Sequence, residues 1–567
     1  MPRRIERRPC PPGDAPTRVH PVVARVYRAR GVLDDDALDD ALECLEHWQA
    51  LGSIERAAGI LADAVLADQR ILIVGDFDAD GATSAALAVG VLSACGATRV
   101  NYLVPNRFDY GYGLTPEIVA LAQERFNPEL LITVDNGVSS HAGVAAANAL
   151  GIRVIVTDHH LPGATLPDAA AIVNPNLTDD AFPSKALAGV GVVFYLMLAL
   201  RRELEQRGRT APRLADWLDL VALGTVADVV PLDRNNRILV AQGLKRIRAG
   251  RTRPGIAALL RVAGRDPTRA CAADFAFAVA PRLNAAGRLE DMSLGIACLL
   301  TGDDAEAEAL AARLDALNLE RRDIEREMHD EANRILERTR VDARTAPVGV
   351  CLYEPAWHQG VIGIVAARVK EQLHRPVVAF ARSGPGALKG SARSIPGFHV
   401  RDALDTVAAR HPDVLTKFGG HAMAAGVSIE ESDYPAFAAA FDEVARERLD
   451  AAALEQVLVT DGELTAEELC LDLADALRDG GPWGQGFPEP LFDGVFDLLE
   501  CRTVGERHLK LSVQPAGVRR QFDAIAFNTP ADAGVAGGRS RLVYRLDVNE
   551  WRGNRRVQLI VEHLEPA

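Results

Sequence analysis

The sequence predicts an α/β protein: two α/β lobes, the first with a parallel sheet, joined by a long helix and followed by a small all-β domain. Three observations carry this. From Arg70 onward apolar runs alternate with Ala-rich segments, strand then helix, which implies a parallel sheet with right-handed crossovers. Asp303–Arg340 holds no Gly or Pro and places Leu310, Leu314, Leu317, Ile324, Met328 and Ile335 at roughly helical spacing. After Pro482 the texture changes to short alternating runs separated by turn residues.

Taken in order, residues 1–45 read as a Pro- and Arg-rich arm leading into short acidic helices. The first lobe, 46–300, contains Ile71–Val74, Leu130–Val134 and Arg153–Thr157, continuous apolar runs expected of strands buried on both faces. Ala-rich helices are expected between them, at Thr83–Ala94 and Gly143–Leu150. A connecting helix spans 301–342. The second lobe, 343–452, starts with a strand at Val348–Tyr353 and is interrupted by loops at Ser383–Gly386 and Gly419–Gly420. In 453–567 the runs Leu509–Val513, Phe522–Phe527, Leu542–Leu546 and Val557–Val561 predict a small barrel or sandwich.

Composition narrows the function classes. With 48% hydrophobic and 25% charged residues in 567, fibrous and wholly disordered chains are excluded. The longest apolar run, near Val190–Leu200, falls short of the ~20 residues that span a bilayer. No apolar core follows the N-terminal arginines, which argues against a signal peptide. Eight cysteines without a C-x-x-C pair argue against a zinc ribbon or a disulfide framework. A cytoplasmic protein with no membrane association is expected. The net charge of −15 does not exclude nucleic acid, because affinity for phosphate follows the local patch. Thr345–Glu430 carries nine Lys or Arg against six Asp or Glu.

The chemistry concentrates in Ile73-Val-Gly-Asp76-Phe-Asp78-Ala-Asp80-Gly81, where three Asp alternate directly after a buried strand. In extended chain, alternate side chains project to one side. An N-cap followed by a solvated turn would explain one Asp; three like charges in this register call for a cation. Asp135 and Asp158 also follow strands, and in an open α/β sheet such ends face the ligand crevice. His159 and His160 add imidazole nitrogens. Asp228 lies between Ala227 and Val229 in an apolar segment, costly unless paired or metal-bound. Carboxylates with one or two imidazoles suit Mn²⁺ or Mg²⁺ better than zinc. Four or more carboxylates exceed the needs of one ion, and ion pairs ~3.5–4 Å apart hydrolyse phosphate esters.

Asp-x-Asp-x-Asp-Gly, Asp135-Asn-Gly, Asp158-His159-His160 and Gly-Thr-Val-Ala-Asp228 together resemble the ordered motifs of the DHH phosphoesterase superfamily. Gly419-Gly420-His421-Ala-Met-Ala-Ala-Gly426 is similar to the glycine-rich signature of the associated DHHA1 domain. Ala280-Pro-Arg282-Leu-Asn284-Ala-Ala-Gly-Arg288 and Gly390-Ser391-Ala-Arg393-Ser394 resemble the RecJ branch, and the terminal strands resemble an OB-fold. The resemblance implies a single-strand-specific DNA exonuclease working from the 5′ end with Mn²⁺ or Mg²⁺, two ions per site, in recombination and repair. It implies Asp78, Asp80, Asp135, His159 and Asp228 as metal ligands, Asp76 and Asp158 as ligands or orienters, and His160 on the scissile phosphate. Val74 stands where many superfamily members carry a His, which leaves Asp76 to substitute or one site weaker.

Single-strand binding needs cations along the backbone and flat faces for bases. Arg282 and Arg288 flank Asn284 in a stretch read as a loop, and Arg393 lies in a Gly/Ser stretch read as a phosphate-cradling loop with Ser391. The resemblance puts Arg107, Arg282, Arg288, Arg393 and Ser391 on the strand or its 5′ phosphate. His421, behind Gly419 and Gly420, would reach a terminal phosphate. Tyr110, Tyr112 and Trp551 (beside Arg552 and Arg556) are candidate stacking residues. The family implies a DNA helicase and single-strand-binding protein as partners; a monomer is expected. Two rivals remain open: a phosphodiesterase or pyrophosphatase on the same two lobes, acting on oligonucleotides, cyclic dinucleotides or pyrophosphate, and a non-catalytic strand-binding relative. The C-terminal domain counts against the first and the full acidic set against the second.

Overall fold

Five short strands form the first sheet: β1 (Ile71–Gly75), β2 (Val100–Leu103), β3 (Leu130–Val134), β4 (Arg153–Thr157) and β5 (Ala171–Val173). β1 and β3 are buried at every position, as their unbroken apolar sequences require. All pairs are parallel, in the order β2-β1-β3-β4-β5. Helix α1 (Ala79–Ala94) is buried over most of its length and rich in Ala, Gly and Ser. Those small side chains let α2 (Gly189–Gln206) and α3 (Leu218–Ala227) pack directly against it. The computed structural model describes residues 3–104, 113–338, 347–415, 417–505, 508–527, 529, 538–551 and 553–567.

Pro281 lies in helix α4 (Ala280–Leu289), which continues an unbroken helical run from Ala272. The stretch expected as a loop around Arg282 and Arg288 is helical, and a single π-helical turn, Phe275–Val279, leads into it. Helix α5 (Asp304–Arg338) spans 35 residues. The chain divides into two units inside this helix: one holds Arg7–Asp315 and Val459–Ala567, and the other is centred on Ala316–Leu458. Ala307, Ala311 and Leu314 are its buried residues before the division, and Asn318, Met328 and Ala332 after it among the described residues.

The second unit contains β6 (Val350–Tyr353), α6 (Ile362–Leu373), β7 (Val377–Gly384), β8 (Ala387–Arg393), β9 (Lys417–Gly420) and β10 (Ala424–Glu430). Its sheet runs β9-β10-β8-β7-β6, antiparallel except for β6 and β7. Ser391, Arg393, Gly419 and Gly420, expected in loops, are strand residues. Gly390 explains the misreading: a Cβ there would come within 2.6 Å of both Phe380 and Val427, so the strand core itself requires glycine.

A closed barrel follows: β11 (Phe492–Val504), β12 (His508–Pro515), β13 (Phe522–Ala526), β14 (Arg539–Trp551) and β15 (Asn554–Pro566). The order is β11-β12-β13-β15-β14, with β13 and β15 parallel. The N-terminal arm packs beside it. Tyr27, in the helix Pro21–Arg28, donates to the carbonyl of Gly480 (2.6 Å) and lies against Trp483 and Phe487. Arg30, buried, makes a two-pronged contact with Asp461 (2.7 and 2.9 Å). Lys245 pairs with Asp40 (2.6 Å). No helix among the described residues is long and apolar enough to cross a membrane.

Candidate metal centre and nucleic-acid interface

Strand register decides where the first carboxylates stand. Gly75 pairs with Val134, and Val134 with Thr157. The residues closely following, Asp76, Asp135 and Asp158, leave three adjacent strands at nearly one level beyond their carboxyl ends. β1 lies where the strand order reverses, which is where ligands bind in open α/β sheets.

The Asp76–Asp80 run is not extended throughout, as its alternation suggested. Asp78 caps α1, its Oδ1 accepting from the amides of Asp80 and Gly81 (both 3.0 Å). Asp80 sits in the first helical turn and reaches the centre that way. Its carboxylate accepts from Gly189 N (2.7 Å) and Val190 N (3.0 Å) at the N-terminus of α2. A Cβ on Gly189 would lie 2.6 Å from Asp135 Oδ1, so glycine is what lets α2 approach. Asn284 Oδ1 accepts from Ala79 N (2.8 Å), tying α4 to the turn between Asp78 and Asp80. Gly287 of the same helix packs on the Phe77 carbonyl, with no room for a side chain.

Three ligand sets result: Asp76 with Asp78 and Asp135; Asp80 with His159 and Asp228; and Asp135 with His159 and His160. Within each, one potential ligand atom per residue lies within 4.8 Å of the others. His159 Nε2 is 3.1 Å from Asp135 Oδ1 and 3.4 Å from Asp228 Oδ2. Those two carboxylate oxygens are buried and accept no hydrogen bond. Asp228 ends α3, and Val229 after it has a φ of 63°; Asp135 has the same φ. Such backbone is costly for Asp and more so for Val. These two ligand positions are thus held by tertiary packing against local preference.

The electrostatics describe a place for cations. Burial, then the charges of Asp228 and Asp78, push the Asp80 carboxyl well above its ordinary range. Burial, Asp80 and Asp78 do the same to Asp135. Burial and Asp78, partly offset by His160, raise Asp228 to about 7. No Lys or Arg pairs with these three among the described residues. Oxygen-rich sets with an imidazole suit Mn²⁺ or Mg²⁺, and two sets sharing Asp135 suit a pair of ions.

Asp158 is in none of these sets. Its Oδ1 accepts from His159 N (2.7 Å), His160 N (3.0 Å) and His160 Nδ1 (2.7 Å), and its Oδ2 from Val138 N (2.8 Å). Burial would raise this carboxyl, but His160 and the amides outweigh it and hold it low. Burial would lower His160, but Asp158 raises it to about 9. Asn174 Nδ2 donates to His160 O (2.9 Å) and Asn176 Nδ2 to His159 O (2.6 Å), fixing the histidine pair from behind. Sequence reading missed both; Asn174-Pro-Asn176 directly after β5 is the signal that was there.

In the second unit Gly419 pairs with Gly426, and Gly426 with Ser391, in one row across three strands. Ala424 pairs with Arg393, and His421 N donates to Ala424 O (2.8 Å). Ser391, Arg393 and His421 thus gather at one end of the sheet. Arg393 Nη1 donates to Ser391 Oγ (3.0 Å), and a Cβ on Gly363 in α6 would sit 2.8 Å from Arg393 Nη2. Arg282, by contrast, is engaged internally: Nε and Nη2 meet Asp315 (2.9 and 2.7 Å) and Nη1 donates to Ala278 O (2.6 Å). Arg288 occupies the last turn of α4. Arg107, Tyr110, Tyr112 and Arg552 lie outside the described residues, as does the Trp551 side chain; the Trp551 backbone ends β14.

Comparison with known proteins matches three family models: DHH family, N-terminal domain, at residues 70–225; DHHA1 domain at 346–447; and RecJ OB domain at 460–563. The chain is 54% identical over 575 residues to the single-stranded-DNA-specific exonuclease RecJ of Salmonella typhimurium, covering 100% of this chain and 99% of that one. Among solved structures it is similar to RecJ from Thermus thermophilus in complex with Mn²⁺, at a TM-score of 0.80 and 33% identity, over 97% of this chain and 76% of that one. The Mg²⁺ complex gives 0.75 and 31%, over 97% and 75%.

Proposed function

The chain belongs to the RecJ family of DHH phosphoesterases, and from that premise we infer its activity: it is a metal-dependent exonuclease that degrades single-stranded DNA 5′→3′. The observation that carries the chemistry is the convergence of buried and half-buried carboxylates on His159, with no Lys or Arg paired to Asp80, Asp135 or Asp228 among the described residues. Asp76, Asp78 and Asp135 would hold one Mn²⁺ or Mg²⁺, and Asp80, Asp135, His159 and Asp228 a second. When bound, the ions neutralise the scissile phosphate and make a water acidic enough to attack phosphorus.

The protein's own groups do the positioning. The Gly189 and Val190 amides hold Asp80 at both oxygens, and Asn284 fixes the turn between Asp78 and Asp80. Asp158 is an orienter: it grips His160 through Nδ1, which directs Nε2 to an oxygen of the scissile phosphate. Ser391, Arg393 and His421, beside the Gly419–Gly420 end of β9, take the 5′ phosphate. Arg288 and Arg107 contact the strand, and the barrel guides it, with Trp551 as a stacking face. Arg282 is a positioning residue, since Asp315 and Ala278 O already use its guanidinium. Family membership supports a cytoplasmic monomer working with a helicase and single-strand-binding protein.

The test uses single-stranded oligonucleotides labelled at the 5′ or the 3′ end, with a blunt duplex control, in Mn²⁺ or Mg²⁺. Immediate release of a labelled mononucleotide from the 5′ end, a gradually shortening 3′-labelled ladder and an intact duplex are expected. Intact long strands, with hydrolysis confined to di- to tetranucleotides or pyrophosphate, would overturn the substrate while keeping the metal centre. An Arg393→Ala protein is expected to lose about 10- to 100-fold in kcat/KM on 5′-phosphorylated strands, the loss of charge-assisted hydrogen bonds. It should lose much less on 5′-hydroxyl strands.

A further inference from the structure

We propose that Phe277 is a stacking platform for a base of the single strand, between the metal centre and the barrel. The proposal rests on the exonuclease reading and adds a residue to it. Phe277 is 80% exposed, the most exposed large apolar side chain among the described residues. It sits in the π-helical turn Phe275–Val279, while its neighbours Phe275, Ala278 and Val279 are buried. A π turn inside a helix is an uncommon irregularity and concentrates at functional sites. Here it presents a phenyl ring to solvent where a surface helix would ordinarily carry a polar side chain.

Both ends of this segment lead to the machinery. Downstream, Asn284 of α4 bonds the Ala79 amide between Asp78 and Asp80. Seven residues of helix cover about 10 Å, so the ring stands a short stretch of strand away from that turn. Upstream, Arg269 pairs with Glu550 near the tip of the β14–β15 hairpin, which anchors the barrel beside the segment. The ring's setting favours a base over a protein partner. Between Val262 and Leu319 Phe277 is the only exposed large apolar side chain among the described residues, so no large neighbour along this stretch extends it into the contiguous apolar patch that protein docking needs. One ring accepts one base of any sequence, which suits an enzyme that degrades without sequence readout.

The experiment compares wild type with Phe277→Ala, Phe277→Leu and Phe277→Trp in the full chain. Binding of a fluorescent single-stranded (dT)20 is read without divalent metal, and kcat/KM is read in Mn²⁺ on the same strand and on bis(p-nitrophenyl) phosphate. The proposal expects Ala and Leu to weaken strand binding about 5- to 100-fold. It expects the ratio of strand to small-diester kcat/KM to fall in step, and Trp to retain both, with fluorescence quenched by the strand beyond any quenching in wild type. Unchanged strand binding in Phe277→Ala would overturn it, as would equal losses on both substrates. Unchanged strand binding with a changed oligomeric state would assign the ring to a protein contact instead. Wild type that cleaves the small diester in Mn²⁺ but neither binds nor degrades the strand would bring down the exonuclease reading itself, and this proposal with it.

Discussion

Buried aspartates meet opposite fates in two regions of this chain. Around the barrel and arm, Asp461 is gripped by the buried Arg30, and Asp493 is held by Arg7, Arg541 and the Thr460 hydroxyl. In the first turn of α1 and at the ends of β3 and α3, Asp80, Asp135 and Asp228 face one another with no paired Arg or Lys among the described residues, and their carboxyls are driven upward. Taking a carboxylate out of water is costly unless a partner compensates. The first region supplies that partner from the chain; the second leaves the place for an ion from solution. One sequence therefore separates aspartates that hold the fold from aspartates that work.

The sharpest way to break this contrast is to remove one charge from each side. Asp135→Asn should cut nuclease activity about 10³-fold or more, since a metal's charge stabilisation is worth several kcal/mol. The same change should raise the melting temperature of the metal-free protein, because it removes a repelling charge; scanning calorimetry in chelator reads this. Arg30→Ala should do the opposite to stability. It leaves Asp461 buried without its main partner, at a cost of about 3–5 kcal/mol in denaturant unfolding. Equal signs for the two variants in metal-free protein would erase the distinction.

Metal addition sharpens it further. Mn²⁺ at ~100 times its Kd should stabilise wild type by about 2.7 kcal/mol, through binding to the folded state alone. Asp135→Asn should lose most of that gain and Arg30→Ala should keep it. The smallest effect is acid titration of Asp493. Burial would raise its carboxyl, but Arg7, Thr460 and Arg541 hold it below 3.8. Its contribution is present above pH ~3.8, the unfolded value, and is lost as pH falls through the lower folded value. Asp493→Asn should therefore lose less stability than wild type on acidification below pH ~4, read by circular dichroism.

How much of this was legible depended on distance along the chain. The acids after β1, β3 and β4 were readable because an apolar strand followed by Asp is a local pattern, and register does the rest. Asp80 was found for an incomplete reason: alternation suggested an extended strand, but it reaches the centre from a helix that Asp78 caps. Ser391 and Arg393 looked like loop residues because Gly390 reads as a loop former, and only the packed Phe380 and Val427 reveal why a strand needs it. Arg282 looked available until helix α5 brought Asp315 to it from 33 positions away. Asn174-Pro-Asn176 after β5 is a local pattern, but what the two amides hold is set by tertiary neighbours, and the arm's grip on Asp461 leaves no local pattern at all.

The most direct test of the central claim is to count the ions. Titrating metal-free wild type with Mn²⁺ in a calorimeter, alongside Asp135→Asn, asks whether the unpaired carboxylates form a two-ion centre around that residue. Two Mn²⁺ per wild-type chain, with binding at both sites weakened together in the variant, is the predicted result. A single ion in wild type, or binding that Asp135→Asn leaves unchanged, would contradict it.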